Sequence, residues 1–312
     1  MTASEFDAAT QLQVISSSPT ELLCQGNISD QWNLGATPEG FAINPFWRAF
    51  FFFLTFLFWA KTKKKKCRLP GGYLFALLLK SISVFFEKQH PHPFTATAYY
   101  LAKPDHGPCE FKVTLMKRGS SYSTAQSTLL QRGEVRLQMV ATFTDLAKRK
   151  GPTVEDVGAP EMPPVEECPP MDEFNSRKSF GLSFHQRVDV RRNPAKIRSK
   201  KAELEGYIRL KDGRQPDLIV AGMLADSFRP PVINYGSEVV GTAWFATMEL
   251  TVYFRNVPAP GWLKFAFHTR HLISGSNEVD SEIWDSEGKL VAMARYLWTF
   301  GGFFLFWKLT LT

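Results

Sequence analysis

Cysteine is scarce in this sequence. The 312 residues contain four cysteines, Cys24, Cys67, Cys109 and Cys168, which lie far apart and form no CxxC pair. Disulfide scaffolds and structural zinc sites need several cysteines at close, characteristic spacings. The spacing therefore argues against both and predicts no metal or other cofactor. It favours a reducing compartment such as the cytoplasm, with a peroxisomal or membrane-associated location left open.

A general excess of basic charge is also missing, although the formal net charge is +7. Much of that charge comes from one run of lysine and arginine at residues 61–68, and the rest of the chain is close to balanced. A nucleic-acid-binding surface needs basic residues clustered along a face or a groove. The sequence therefore gives little support for a nucleic-acid partner.

A hydrophobic run long enough to cross a membrane is absent too. The uncharged, Phe-rich run at residues 49–60 falls well short of the roughly 18 apolar residues that a spanning helix requires. The first ten residues are polar and acidic, unlike a secretory signal, and the final LTLT is not a peroxisomal targeting signal. These features argue against a spanning helix and against export.

The same run belongs to an unusual segment, residues 41–71, in which phenylalanine is followed by clustered lysine. Three interpretations compete: a membrane contact from Ala49 to Lys66, a nuclear-import or anionic-lipid patch, and a segment foreign to the fold such as a translated intron. We favour the third, because removing the segment joins the turn at Gly40 directly to a helix starting at Gly72. The Phe-rich chain end at 301–308 is open to the same interpretation, or to forming a strand or lining an apolar tunnel.

The sequence does contain an α+β pattern. Residues 72–88 are apolar nearly all round, which is typical of a buried helix, and Pro91 stops the helix. Four segments follow in which apolar and polar residues largely alternate, as in antiparallel strands joined by short turns: 94–102, 109–115, 122–130 and 135–143. One helix followed by a meander of strands is typical of α+β folds.

The pattern then repeats after a proline-rich stretch that begins at residue 148. A predicted helix at 216–228 precedes the predicted strands 247–255, 262–269, 278–285 and 290–298, and two more strands are predicted at 185–190 and 203–210. The segment QRGEVRLQMVATF of the first half aligns with SEGKLVAMARYLW of the second. The repeat predicts two similar modules, 1–147 and 183–312, joined by a linker at 148–182.

Asp226 is the candidate catalytic residue that helical geometry offers. In the predicted helix, Ile219, Met223 and Asp226 fall on one face. A carboxylate in apolar surroundings is costly, and burial would raise its pKa, which suits a general base. The alternative is that Asp226 lies near the helix end and is simply solvated.

Several segments together resemble the double-hotdog, thioesterase-like acyl-CoA hydrolases, in particular fungal members and the bacterial acyl-CoA thioesterase II type. The resemblance rests on FDAAT, GGYLFALLL, VATFTDL, DLIVAGMLADSF, TMELTVYFR and SEIWDSEGKLVAMAR, and covers nearly the whole chain outside 41–71 and the chain end. It implies a double hotdog, two modules each with a long central helix wrapped by an antiparallel β-sheet. It also implies an acyl-CoA substrate and lipid metabolism, and it leaves a homo-oligomer open.

The resemblance further implies a site in the second half made of Asp, Thr and Gln, in which the carboxylate activates water and the other two orient it. These map to Asp226, Thr247 and Tyr296, so the chain departs from the pattern at the third position. Tyrosine also donates and accepts hydrogen bonds, but it is longer and planar. Three functions follow: an acyl-CoA thioesterase, a non-catalytic acyl-CoA or acyl-intermediate binder, and a membrane-associated interaction protein. Ala141 occupies the Tyr296 position in the first half, which predicts no site there.

Overall fold

The computed structural model describes residues 4–32, 69–87, 89–155, 157–171, 183–197, 199–228, 230–240 and 244–301. Most of the Phe-rich segment 41–71 and the chain end after Gly301 lie outside these ranges. The membrane contact from Ala49 to Lys66 and the interpretation as foreign sequence therefore stay predictions. Within the described ranges, no helix is both long and apolar enough to cross a membrane.

Thirteen strands in the described ranges form one antiparallel sheet. They are β1 (Leu12–Ser17), β2 (Glu21–Ile28), β3 (His92–Tyr100), β4 (Gly107–Arg118), β5 (Ser123–Gln131), β6 (Glu134–Thr144), β7 (Val188–Arg192), β8 (Glu203–Leu210), β9 (Trp244–Phe254), β10 (Leu263–His268), β11 (Leu272–Ile273), β12 (Ser276–Trp284) and β13 (Leu290–Gly301). Buried and more exposed residues alternate along β5 and β10, as expected for strands that cover a core on one face. The strands predicted between residues 94 and 143 are confirmed, with ends that differ by a few residues.

The strand order is the same in both halves when it is followed inward from the two edges. The sequence β1-β2-β4-β5-β6-β3 of the first half corresponds to β7-β8-β10-β12-β13-β9 of the second. β3 pairs with β9 at the centre, where Thr97 lies opposite Thr251 and their hydroxyl oxygens are 2.9 Å apart. Both central strands carry a bulge, just after Pro93 in β3 and just after Thr247 in β9. The internal repeat of the sequence thus has a counterpart in the topology.

The α-helices in the described part of the chain are α1 (Glu5–Ala9), α2 (Gly71–Phe86), α3 (Ser183–Arg187), α4 (Leu218–Leu224) and α5 (Ser237–Val240). The long helix α2 confirms the predicted buried helix, because most of its side chains are buried among β3 to β6 and α4. Ser81 Oγ, a buried hydroxyl of this helix, lies 2.7 Å from Ser127 Oγ of β5. The helix begins at Gly71, so the atypical segment predicted to end at this residue overlaps the helix by one position.

Two predictions about the second half are wrong in detail. Helix α4 is seven residues long, shorter than predicted, because the Asp217 side chain caps it by accepting from Val220 N–H and the chain leaves the helix at Ala225. The strand predicted from residue 185 begins at Val188, because the preceding residues form α3. Arg187 at the end of α3 bonds to the Glu5 carboxylate of α1 at 2.8 Å.

Candidate functional site

Asp226 lies in the turn that follows α4, with only 4% of its surface exposed. The alternative of a solvated carboxylate near a helix end is therefore wrong. Burial raises the pKa of Asp226 to about 8, and the hydrogen bond from Thr247 acts in the opposite direction. A carboxyl in this range changes its protonation state near neutral pH, as a general base requires.

Thr247 lies at the bulge of β9 and joins Asp226 to the sheet. Thr247 Oγ1 is 3.1 Å from Asp226 Oδ2 and 2.8 Å from the indole Nε1 of Trp298 on β13. An indole N–H can only donate, so it occupies the acceptor side of the Thr247 hydroxyl. The hydroxyl proton is therefore directed at Asp226, and the three side chains form one hydrogen-bonded chain.

The N-terminus of α2, which belongs to the first half of the protein, contacts these hydrogen-bonded side chains. A Cβ atom at Gly71 would lie 2.2 Å from Asp226 Oδ2 and 2.9 Å from Thr247 Oγ1, so only glycine leaves room for both side chains. Gly72 N–H donates to the Asp226 main-chain oxygen at 3.2 Å, and Tyr100 Oη donates to the Gly71 carbonyl at 2.7 Å. The positive end of the helix dipole therefore faces the buried carboxyl.

Tyr296 lies on the same inward face but outside the hydrogen-bonded chain. It pairs with Leu250 of β9 and Val279 of β12, one row away from Thr247, and its ring centroid is 4.9 Å from that of Trp298. Its hydroxyl is buried and bonds to no protein group among the described residues. Burial, with a further contribution from the negative charge of Asp226, raises the Tyr296 pKa well above its usual value.

The structure thus brings Asp226 and Thr247 into contact and places Tyr296 beside them. Trp298, which donates to Thr247, was missed in the sequence. The strand pattern of the sequence could have indicated Trp298. Residues two apart in a strand face the same side, so Tyr296 and Trp298 share a face. The register of β13 against β9, with its bulge, decides which of the two reaches Thr247.

Other features of the described ranges do not add to this site. No group of three His, Cys, Asp or Glu side chains there is placed to hold a metal ion. His90 bonds to Ser123, and His92 Nδ1 accepts from Leu146 N–H. An open groove of about 920 Å³ is lined by α1, β1, β2 and the segment that follows β2, and none of the three predicted site residues lines it.

Two family models match the sequence. The N-terminal domain of acyl-CoA thioesterase matches residues 66–144, and the C-terminal domain matches residues 165–297. The chain belongs to the acyl-CoA thioesterase family. The matched ranges of this thioesterase-family protein include α2, Asp226, Thr247 and Tyr296, while Trp298 follows directly after the second range.

Known relatives of this acyl-CoA thioesterase family member include an uncharacterised protein of Mycobacterium tuberculosis. The two are 25% identical over 255 residues, which cover 74% of this chain and 85% of the relative. An uncharacterised protein of Mycobacterium bovis gives the same values. Neither relative adds a defined activity.

Solved structures similar to this thioesterase-family chain show its fold. A candidate thioesterase II from Thermobifida fusca superposes with a TM-score of 0.74 at 23% identity, covering 96% of this chain and 98% of the other. A hot dog fold protein of unknown function from Alicyclobacillus acidocaldarius gives 0.74 at 19%, covering 96% and 99%. The acyl-CoA thioesterase II TesB2 of Mycobacterium marinum gives 0.67 at 16%, covering 95% and 98%. The fold is of the double-hotdog type, with a large antiparallel sheet and few helices.

Proposed function

We propose that this protein hydrolyses a fatty-acyl or related acyl-CoA thioester to the free acid and CoA, with Asp226 as the base that activates water. The observation that carries the proposal is the buried Asp226–Thr247 hydrogen bond at the N-terminus of α2. A carboxyl whose pKa lies at about 8, beside a helix N-terminus, combines a proton acceptor with positive electrostatic potential. Membership of the acyl-CoA thioesterase family supplies the substrate class.

In the proposed reaction, ionised Asp226 takes a proton from water while the water oxygen bonds to the thioester carbonyl carbon. The carbonyl electrons move onto its oxygen, and a main-chain N–H group at the start of α2 stabilises the oxyanion. The oxyanion then collapses, the C–S bond breaks, and the CoA sulfur takes the proton that Asp226 holds. The products are the acid and the CoA thiol, and Asp226 is ionised again.

Gly71 is the residue of α2 that we assign to the oxyanion. The first N–H groups of a helix have no acceptor within the helix, and Gly72 N–H already donates to the Asp226 main-chain oxygen. The missing side chain at position 71 lets Asp226 Oδ2 and Thr247 Oγ1 lie against the helix start, so the proposed base and this N–H group are close together.

Thr247, Trp298 and Tyr296 complete the proposed site with different roles. Thr247 holds the Asp226 carboxylate and orients water, and Trp298 is a positioning residue that fixes the direction of the Thr247 hydroxyl. Tyr296 stands where the family carries Gln and is the proposed third member, with its buried hydroxyl turned toward water or substrate. Because tyrosine is longer than glutamine, we propose that hydrolysis is slower than with the amide.

We also propose that the chain is divided at the predicted domain boundaries. Modules 1–147 and 183–312, joined by the linker 148–182, would each be built on a central helix, which is α2 in the first and the shorter α4 in the second. The site would then depend on both modules, because Gly71 comes from the first and Asp226 from the second.

The test is free-CoA release from a series of short to long acyl-CoA thioesters, with the wild type compared with Asp226→Asn. We expect the variant to lose about 10³-fold in kcat, the range for removal of a general base, while still binding a non-hydrolysable thioether analogue. Ser81→Ala, which removes a buried hydroxyl on α2 away from the site, is the matched control and should leave turnover unchanged. Undiminished turnover by Asp226→Asn would contradict the assignment of the base.

Binding without hydrolysis is a second candidate function, favoured by Tyr296 in the position of the family amide. Tyr296→Gln separates the two, because an impaired hydrolase should gain turnover when the amide is restored. Acyl-CoA binding by a folded protein, with no CoA release from either the wild type or Tyr296→Gln, would establish the binding function instead.

A further inference from the structure

The second half of the protein contains buried polar atoms that its own fold does not satisfy. Among the described residues, Thr269 Oγ1, both side-chain polar atoms of Asn277 and Tyr296 Oη have no hydrogen-bond partner. All three side chains are buried, and Asn277 is only 1% exposed. Buried polar groups in native proteins nearly always have a partner, so each of these needs an explanation.

The three residues face the same side of the sheet as the catalytic candidates. Asn277 of β12 lies opposite Trp298 of β13, which in turn lies opposite Thr247 of β9. Adjacent strands are about 4.8 Å apart, which places the Asn277 and Thr247 backbones about 10 Å from each other. Tyr296 lies in the next row, opposite Val279.

Thr269 extends the same face on the next strand. It follows His268 at the end of β10, and it continues the alternation in which Phe265 and Phe267 are buried. Its main-chain N–H bonds to Ala202 O, so only the side-chain hydroxyl lacks a partner. The unsatisfied atoms thus include a hydroxyl, a phenol and a complete amide on one inward face.

The first half shows that the fold does not require this polarity. The matching strand registers place Leu115, Ser123 and Ala141 at the positions of Thr269, Asn277 and Tyr296. Two of these are apolar, and Ser123 Oγ lies 3.0 Å from His90 Nδ1, so the fold itself satisfies the polar one. At these three pairs of corresponding positions, the unsatisfied polar atoms all belong to the half that carries Asp226, although among the described residues His106 Nε2 and Arg136 Nε also lack a partner elsewhere in the first half.

We propose that this inward face recognises an acyl group carrying a hydroxyl substituent several carbons from the thioester, rather than a plain hydrocarbon chain. The inference rests on the proposed function and names the substrate class of the same site. A hydroxyl both donates and accepts, so the Asn277 amide can accept its proton through Oδ1 or donate to its oxygen through Nδ2. Thr269 and Tyr296 supply further hydroxyls on either side of Asn277. An unsubstituted chain would leave all four atoms unpaired, which disfavours its binding.

The test compares hydroxyacyl-CoA thioesters, with the hydroxyl moved along the chain, against unsubstituted acyl-CoA thioesters of equal length. We expect the wild type to favour one hydroxylated position by about tenfold or more in kcat/KM, because a buried polar site discriminates against a ligand that leaves it unpaired. Asn277→Leu, which keeps the size and removes the amide, should bring that ratio close to one. Ser123→Ala, the corresponding change in the first half, should leave the ratio unchanged. If Asn277→Leu does not fold, Thr269→Val provides the same comparison.

Binding measurements separate this inference from the proposed function. The dissociation constants of hydroxylated and plain thioether analogues, measured on Asp226→Asn, report the preference without any turnover. Absence of hydrolysis with a retained preference for the hydroxylated analogue would overturn only the proposed reaction. Equal affinity for the two analogues, or a ratio that Asn277→Leu leaves unchanged, would overturn the hydroxyacyl inference.

Discussion

At the bulges of β3 and β9, the two halves of the chain have corresponding rows of inward-facing side chains, each row running across three adjacent strands. The row of the first half is Pro93, Phe143 and Ser123, and the row of the second half is Thr247, Trp298 and Asn277. Both rows sit at the same place in the same strand order, so the fold tolerates either set. We propose that the polar row serves function, because stability alone favours apolar side chains at these positions.

The corresponding helices of the two halves, α2 and α4, also differ. Helix α2 has sixteen residues and buries side chains nearly all round, whereas α4 has seven and gives way to the turn that carries Asp226. The N-terminus of the long helix lies against that turn. One half thus supplies a rigid helix end and the other supplies the titrating group, and neither half contains the arrangement alone.

The largest effect in this comparison is expected at the contact between the two halves. In Gly71→Ala the new Cβ would overlap Asp226 Oδ2, so the carboxyl must move away from Thr247. We expect a loss of about 100-fold in kcat/KM, as for other displacements of about 1 Å in an active site. Gly158→Ala is the control, since its Cβ meets nothing within 4 Å. Full activity in Gly71→Ala would show that the helix start plays no part in the reaction.

A smaller effect is expected when the second half is made apolar at Thr247, as the first half is at Pro93. Thr247→Val removes the hydrogen bond that lowers the Asp226 pKa. Since the base works only when ionised, wild-type turnover should rise with pH and level off above the pKa of about 8. In the variant we expect about tenfold lower turnover and a midpoint moved to higher pH. A pH profile of kcat/KM whose midpoint is the same in both proteins would argue against Asp226 as the titrating base.

A still smaller effect is expected at Trp298, whose counterpart in the first half is Phe143. Trp298→Phe copies the first half and removes only the N–H that orients Thr247. We expect kcat to fall about fivefold, in keeping with the loss of one hydrogen bond outside the reacting atoms, while KM changes little. A change confined to KM would instead place Trp298 in contact with the acyl chain.

The last prediction concerns folding rather than turnover, namely the pH dependence of stability. Burial raises the Asp226 pKa from 3.8 to about 8, so between these values the native state holds a proton that the unfolded chain has released. This group therefore lowers the free energy of unfolding as pH rises toward 8, by at most about 1.4 kcal/mol per pH unit. Relative to wild type, Asp226→Asn should become more stable as pH rises from 5 to 8 in denaturant titrations. Parallel stability profiles would indicate an ordinary, ionised Asp226.

Local patterns predicted much of the first half well. The nearly continuous apolar character of α2 and the alternation along β4 and β6 are set by residues close together in the chain, and these elements were found where expected. The second half was predicted less accurately. Helix α4 was predicted too long because its apolar run continues to Phe228, although the backbone leaves the helix at Ala225. The short helix α3 was taken for a strand, since five residues give too little periodicity to decide.

The α+β class, the internal repeat and the candidate acid Asp226 could be predicted from the sequence, because they depend on residue type and short-range spacing. Thr247 and Tyr296 were implied only by the family resemblance. The burial of Asp226, the contact with Gly71 from 155 positions away and the hydrogen bond from Trp298 to Thr247 became visible only in the three-dimensional fold. The physical reason is register. In a sheet, a bulge or a shift by one residue changes which side chains face inward, and the pairing of distant strands is not written in local periodicity. Strand register also places the Asn277 amide on the inward face, where it has no hydrogen-bond partner among the described residues. The corresponding residue of the first half, Ser123, bonds to His90.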